Sequence, residues 1–404
     1  MSEPTDLRPG DAVLCLNAGS SSLKLALFAA AEGGSLVALA RGRMKPVEGG
    51  LHVAMAGENV PPLDETVARS VGDGGQSDEP AHARLLDWAV TAAPTGRLAG
   101  AGHRVVHGGP DFAGPAILGA PTIAAVEALT PLAPLHQPLA LVPIHAIARL
   151  RPELAQTASF DTVFHRTIAP VLRRYALPRD LANREGLTKF GFHGVSYDFI
   201  AGELARRDPG GEGKRTVVAH LGSGASLCAM RDGKSVDTTM GFSVLDGLVM
   251  ATRCGSLDPG VVLHLFKRIG MTADAVEDLL YHRSGLLGVS GISRDMRELL
   301  ADESAAAREA VELFVHSIAR ETAAMAASLG GIDRFVFTGG IGENQPEVRM
   351  RVAERLAWLG LAVEAAPNRA GATRISPDGA PVEVLRIATD EESIIARDAA
   401  RLLA

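Results

Sequence analysis

Residues 215–226 read RTVVAHLGSGAS. Thr216 to His220 is β-branched and apolar, the composition of a buried strand. Small residues follow at once, Gly222-Ser223-Gly224-Ala225-Ser226. Glycines at alternate positions are expected here to take backbone angles that other residues resist. Successive N–H groups flanked by hydroxyls then form a nest for anionic oxygens. Taken alone, the stretch reads more readily as an ordinary turn, because Gly and Ser dominate turns.

The same design recurs. Val13-Leu14-Cys15-Leu16 runs into Asn17-Ala18-Gly19-Ser20-Ser21-Ser22, and Phe335-Val336-Phe337 runs into Thr338-Gly339-Gly340-Ile341-Gly342-Glu343-Asn344. The first two of these loops lie about half a chain apart, as a duplicated βα-type domain would place them. Two such loops facing one cleft would suit a polyphosphate.

Composition narrows the class. A chain of 404 residues is long for one domain and comfortable for two. A net charge of −7 argues against nucleic acid as a bulk partner, because phosphate-backbone affinity needs an excess of Lys and Arg. Three cysteines, Cys15, Cys228 and Cys254, show no metal spacing and fit a reducing, cytoplasmic compartment. The polar first dozen residues lack a secretory apolar segment. No run of about 18 uncharged apolar residues offers a membrane span.

Further elements follow from local pattern. Leu23 to Phe28 and Leu36 to Ala40 continue an antiparallel start, so three strands are expected to open the fold. Residues 71–80 form a Gly/Asp-rich surface loop, and helical spacing begins at His82. Leu98 to His107 and Thr157 to Phe164 read as strands. Pro131 to Pro143 stiffens the backbone around His136. A helix starts near Ser196, and Asp232-Gly233 turns a hairpin. Ala305 to Leu329 is a long amphipathic helix closed by Gly330-Gly331. Pro346 and Gly360 bracket another helix, and Glu383 to Ile387 is the last strand before a final helix at Glu391. Alternating strands and helices give an α/β class.

The polar candidates are individually ambiguous. Arg104 and Arg253 stand in glycine-rich settings, either as surface charges or as forks for carboxylate or phosphate. His136 and His193 sit in stiff loops and are structural or catalytic. Asp161, in an apolar strand, needs a partner or a metal. Glu391 and Glu392 favour a helix dipole at the least. No catalytic triad, zinc motif or Walker A sequence is present.

In order along the chain, NAGSSSLK (17–24), HRVVHGG (103–109), FDTVFH (160–165), FGFHG (190–194), HLGSGAS (220–226), ATRCGSLDPG (251–260), SRDMREL (293–299), GGIGEN (339–344) and TDEE (389–392) resemble the acetate kinase family. The resemblance spans Val13 to Arg397. It implies two duplicated actin-like (ribonuclease H-like, ASKHA) domains, 1–162 completed by 390–404, and 163–389. It also implies ATP or ADP and a short-chain carboxylate in the cleft, Mg²⁺ or Mn²⁺, and a cytoplasmic homodimer without nucleic-acid or membrane partners.

By motif position, Arg104 and Arg253 resemble clamps on acetate and on the migrating phosphoryl group. His193 is implied as a transition-state donor assisted by His136, and Asp161 as a catalytic group orienting Arg104 or the metal. Asn17 and Glu391 resemble the metal organisers. Lys24 and His220, Leu221, Gly222, Ser223 and Gly224 resemble phosphate contacts. Asp295, Met296 and Arg297, with Gly340, Ile341, Gly342, Glu343 and Asn344, resemble the adenosine site. Val106, Leu135 and Phe192 resemble the methyl pocket.

Two departures stand out. Ser223 replaces the Asn of the usual His-Leu-Gly-Asn-Gly, and Ser243-Val244-Leu245-Asp246-Gly247 replaces Thr-Pro-Leu-Glu-Gly. An extra methylene changes binding by only about 1–3 kcal/mol, so propionate kinase is the nearest alternative. A sugar kinase with Asp161 as base, and an actin-like ATPase, are the readings from other classes.

Overall fold

A computed structural model of the chain describes residues 7–19, 22–72 and 75–404. Ser20 and Ser21 of the first small-residue loop, and Asp73 and Gly74 of the 71–80 segment, lie outside the described residues. The chain divides into two compact units, Met1–Val163 with Asp390–Ala404, and Phe164–Thr389.

The first unit is built on strands β1 (Ala12–Ala18), β2 (Leu23–Ala30), β3 (Leu36–Val47), β4 (Gly50–Ala56), β5 (Leu63–Ala68), a small hairpin β6 (Ser70–Gly72) and β7 (Gly75–Ser77), then β8 (Leu98–Val105), β9 (Ala116–Ile117) and β10 (Ala155–Phe160). Among the described residues its main sheet runs β5-β4-β3-β2-β1-β8-β10-β9. β1 to β5 pair antiparallel in sequence order, whereas β8 joins β1, and β10 joins β8, in parallel. Central β1 is buried almost throughout, as expected of a strand covered on both faces. The helix Glu79–Ala92 packs Leu85, Leu86 and Trp88 onto one face, and the closing helix Glu391–Leu403 packs on β1, β8 and β10.

The second unit carries β11 (Arg215–Leu221), β12 (Ala225–Arg231), β13 (Lys234–Thr238), β14 (Arg334–Thr338) and β15 (Glu383–Arg386) in the order β13-β12-β11-β14-β15. Two antiparallel pairings followed by two parallel ones repeat the β3-β2-β1-β8-β10 core of the first unit. The duplication expected from the repeated loops is therefore present strand for strand. The helix Ala305–Leu329 begins with Ser304 capping Ala307 N and ends on Gly330, at φ 74°.

Several local expectations need correction. The antiparallel start has five strands, not three, and its third strand runs on to Val47. β5 carries the exposed polar residues Asp64 and Thr66 on one face, which blurs its pattern. β10 stops at Phe160, and Val163–Thr167 is a 3-10 turn, so Asp161 sits just past a strand end. His136 precedes a helix, Gln137–Leu150, that admits Pro143 inside it. Gly339–Asn344 is a short helix rather than an open loop.

Buried histidines are expected to make this fold acid-sensitive. His103, on β8, is 1% exposed and meets Gln156 Oε1 through Nε2 at 2.8 Å. Burial pushes its pKa down to about 3, and that of His82 down from 6.5. Below the ordinary value of 6.5 the unfolded chain binds protons that the native chain refuses, so stability falls with pH. The urea midpoint is expected to be flat above about pH 7 and to fall as pH drops from 6.5 towards 4. Replacing the titrating ring in His103→Gln should flatten that fall, and an unchanged slope would assign it to other groups.

Candidate active site

In the first unit, parallel register decides which side chains meet. Asn17 is level with Arg104 across β1 and β8, and Ser159 is level with Arg104 across β8 and β10. Residues at the carboxyl ends of adjacent parallel strands thus face a common edge, where ligands of open α/β sheets bind. Arg104, 13% exposed, donates from Nε to both Asp161 oxygens at 3.1 Å and from a terminal nitrogen to Asn17 Oδ1 at 3.3 Å. Burial alone would lower the Arg104 pKa, but Asp161 and Glu391 outweigh it and raise the value.

Asn17 Nδ2 in turn donates to Glu391 Oε2 at 2.6 Å and to Glu392 Oε1 at 2.7 Å. Asp161, Arg104, Asn17 and Glu391 therefore form one network, joined by Glu392, which the sequence offered only as a helix-dipole partner, and by Arg41, which it did not single out. Glu392 shares the Asn17 amide, and Arg41 bridges Asp390 and Glu392. Lys24 stands directly across from Asn17 on β2, with its side chain exposed.

Val106 is buried beyond the end of β8, while Leu135 and His136 are partly buried before the helix Gln137–Leu150. Gln137, also missed from sequence, ties these segments together. Fully buried, it accepts from His107 N at 3.2 Å and donates to His107 O at 3.1 Å.

In the second unit, Gly222-Ser223-Gly224 turns β11 into β12, and Gly222 N donates to Gly224 O at 3.0 Å. The expected unusual backbone angles are absent: neither glycine has a positive φ. Gly224 is needed instead for close approach. A Cβ there would lie 2.9 Å from an Arg253 terminal nitrogen and 3.2 Å from His193 Nε2. Those two groups converge on the hairpin.

Arg253 is partly buried and donates to the Val244 carbonyl at 2.6 Å. Among the described residues no carboxylate pairs with it, and burial lowers its pKa to about 10. His193 stacks on His220, with ring centroids 4.3 Å apart and planes 19° from parallel. Its Nδ1 lies 2.8 Å from Ser226 Oγ, which also meets Tyr197 Oη at 2.5 Å. His220 Nδ1 meets Ser196 Oγ at 2.9 Å, and Ser196 meets Thr389 Oγ1. Ser226, Tyr197, Ser196 and Thr389 had no separate signal in the sequence.

Gly340 N lies 3.9 Å from where a Cβ on Gly222 would stand, so the helix Gly339–Asn344 adjoins the hairpin. Glu343 Oε1 accepts from Gly339 N and from Thr389 N. Arg349, 1% exposed, donates to the Gly342 and Glu343 carbonyls and to Asn368, bracing the helix end. Asp295 caps the helix Met296–Ala301 and takes the Arg297 fork, while Met296 is buried. Phe192 is buried at 1% exposure, and Ser223 is exposed.

Residues 12–397 match the sequence profile of the acetokinase family. The chain is 48% identical to the acetate kinase of Rhodopseudomonas palustris (strain TIE-1) over 97% of its own length and 98% of that protein. It is 44% identical to the acetate kinase of Methylocella silvestris over 97% and 98% of the two chains. Among solved structures, a propionate kinase from Francisella tularensis superposes with a TM-score of 0.87 at 33% identity, covering 96% of this chain and 98% of that one. Porphyromonas gingivalis acetate kinase gives 0.82 at 32% identity, covering 98% and 100%. The chain belongs to the acetokinase family, and its two repeated sheets are the duplicated actin-like fold of that family's structures.

The Arg104–Asp161 pair gives a stability test. Removing Asp161 leaves a largely buried guanidinium without its main partner, which typically costs about 3–5 kcal/mol. Asp161→Ala is expected to lose stability of about that size in urea unfolding. A loss below about 1 kcal/mol would show that Glu391 and Glu392 hold Arg104 unaided.

Proposed function

We propose that this chain is an acetate kinase, transferring the γ-phosphoryl group of ATP reversibly to acetate to give acetyl phosphate and ADP. The observation that carries the mechanism is the convergence of Arg253 and His193 Nε2 on the Gly222–Gly224 hairpin. A cation held there without a carboxylate partner favours an anion, and a phosphoryl group in transit is one.

Acetate is already ionised near neutrality, with a carboxylate pKa of about 4, so the reaction needs no general base. Positioning and charge neutralisation remain, as in phosphoryl transfer generally. With Tyr197 donating to Ser226 and Ser226 donating to His193 Nδ1, the His193 proton sits on Nε2, the nitrogen that lies towards Gly224 with Arg253. Backbone N–H groups of Ser223 and Gly224, with His220, Leu221 and Gly222 shaping the turn, serve the β- and γ-phosphates. Arg104 serves the acetate carboxylate, fixed by Asp161, with His136 assisting and with Val106, Leu135 and Phe192 around the methyl group. Asp295–Arg297 and Gly340–Asn344 serve the adenosine end, and Lys24 the phosphates.

The network around Asn17 suits a divalent cation. Among the described residues Asp161, Asp390, Glu391 and Glu392 gather around Asn17 with the guanidinium groups of Arg104 and Arg41. Among the described residues no three acidic or histidine side chains are arranged to enclose a metal directly. Glu391 and Asn17 would therefore hold Mg²⁺ in company with the nucleotide phosphates, where it neutralises charge on them.

Propionate is the second reading, favoured by Val244 in place of the family's proline. Side-by-side kcat/KM values for acetate, propionate and butyrate, with the acyl phosphate trapped by hydroxylamine, decide it. A clear acetate preference is expected, and equal or better propionate turnover would change the substrate while keeping the mechanism. Arg253→Ala should lower kcat by about a thousandfold while ATP still binds, and near-normal turnover would remove Arg253 from the mechanism.

The exposed apolar side chains Leu257, Val261, Leu263, Phe266 and Ile269 support a homodimer formed over the 257–269 segment. Light scattering should give twice the chain mass, and Ile269→Asp should shift it to the monomer; an unshifted mass would place the interface elsewhere. The cysteines Cys15, Cys228 and Cys254 are all free, in keeping with the cytoplasm.

A further inference from the structure

His165 ends the FDTVFH motif, and none of the roles above uses it. It lies in the 3-10 turn Val163–Thr167 and is 1% exposed. Its Nε2 is 2.9 Å from the Phe192 carbonyl oxygen, and its Nδ1 is 2.9 Å from Ser235 Oγ. A carbonyl can only accept, so Nε2 carries the proton and Nδ1 accepts from the Ser235 hydroxyl. Burial keeps the ring neutral, with a pKa near 4, so both bonds persist at neutral pH. Ser235 is itself fixed by Thr167, whose hydroxyl donates to the Ser235 carbonyl at 2.7 Å.

The carbonyl that His165 holds belongs to the peptide that carries His193 N. His193 has φ 58° and ψ 22°, in the left-handed region that a residue with a side chain seldom adopts unless its surroundings impose it. From the other side, Phe190 N and Gly191 N both donate to the Gly241 carbonyl. At Gly191, φ 80°, a Cβ would lie 2.5 Å from the His165 ring, so the imidazole fills the space under the loop.

We propose that His165 is a positioning residue for phosphoryl transfer: its Nε2–H, on the Phe192 carbonyl, holds His193 in the left-handed conformation that brings His193 Nε2 to Gly224 beside Arg253. The proposal rests on the reading of His193 as a transition-state donor. A misplacement of a catalytic group by about 1 Å costs turnover far more than ground-state binding. The signature is therefore a loss in kcat at nearly constant KM.

In His165→Asn the amide occupies the Nδ1 position, keeping Ser235 but losing Phe192, whereas His165→Gln places its nitrogen at the Nε2 position. His165→Asn should lower kcat about a hundredfold, with KM for ATP and acetate within about threefold, and His165→Gln should recover to within about fivefold of the parent enzyme. In a His193→Ala background, His165→Asn should lower the residual kcat no further. Equal losses in the Asn and Gln variants, or a further fall in the His193→Ala background, would mean that His165 supports the fold generally and overturn the proposal. If His193→Ala alone leaves kcat unchanged, the reading of His193 fails first and separately. Should His165→Asn not fold, Ser235→Ala removes the partner on Nδ1 and lets the ring turn away from the Phe192 carbonyl. A fall in kcat of about tenfold at constant KM is then expected, and an unchanged kcat overturns the proposal.

Discussion

Arg253 keeps a positive charge in a partly buried place with no carboxylate beside it among the described residues, and the second unit is built around that constraint. Desolvation opposes the charge, which is why its pKa falls to about 10. The usual remedy in a protein is an acidic partner, and the first unit adopts it by setting Asp161 against Arg104. At Arg253 the Val244 carbonyl supplies only a partial charge. In the proposed reaction the migrating phosphoryl group would supply the remaining compensation. Gly224 has to lack a side chain so that the guanidinium and His193 can both reach the hairpin. The His193–His220 stack and the Ser226–Tyr197 pair then fix the second donor.

Both units reach their functional groups by the same route. A central strand pairs antiparallel on one side and parallel on the other, so one end of the sheet gathers several strand termini. Asn17 and Arg104 leave the first sheet at that end, and His220 and Thr338 leave the second in matched register. Duplication of the strand order thus places a polar edge in each unit. What fills the edge differs: a network rich in carboxylates in one, and amides with imidazoles in the other.

Much of this was legible because it is local. The β11–β12 hairpin, the Asp232-Gly233 turn and the helix from Ala305 to Gly330 follow from turn chemistry, capping and periodicity within a few residues. The helix Gly339–Asn344 was not legible, since its glycines disfavour helix and its support comes from Glu343 and from Arg349, a residue outside it. The hairpin glycines were expected for the wrong physical reason: neither adopts an unusual angle, and Gly224 instead avoids a collision with Arg253. Motif resemblance pointed to Asn17 and Glu391, yet their contact closes 374 residues of chain and could not come from spacing. Gln137 and Arg349 act through contacts between neighbouring segments and carry no pattern of their own, and Glu392 shows only the acidic pattern of a helix start.

The treatment of Asp161 bears on which acceptor the site can serve. A hydroxyl acceptor, such as a sugar, needs a carboxylate base free to take a proton. Both Asp161 oxygens accept from Arg104, so the carboxylate is committed to holding a guanidinium. Moving Asp161 onto a substrate hydroxyl would leave Arg104 facing that hydroxyl with its charge uncompensated. A carboxylate acceptor removes the conflict, because it arrives deprotonated and brings the negative charge that a guanidinium fork takes best. The pairing that occupies Asp161 therefore argues against its use as a base and agrees with the proposed role of Arg104 towards a carboxylate acceptor.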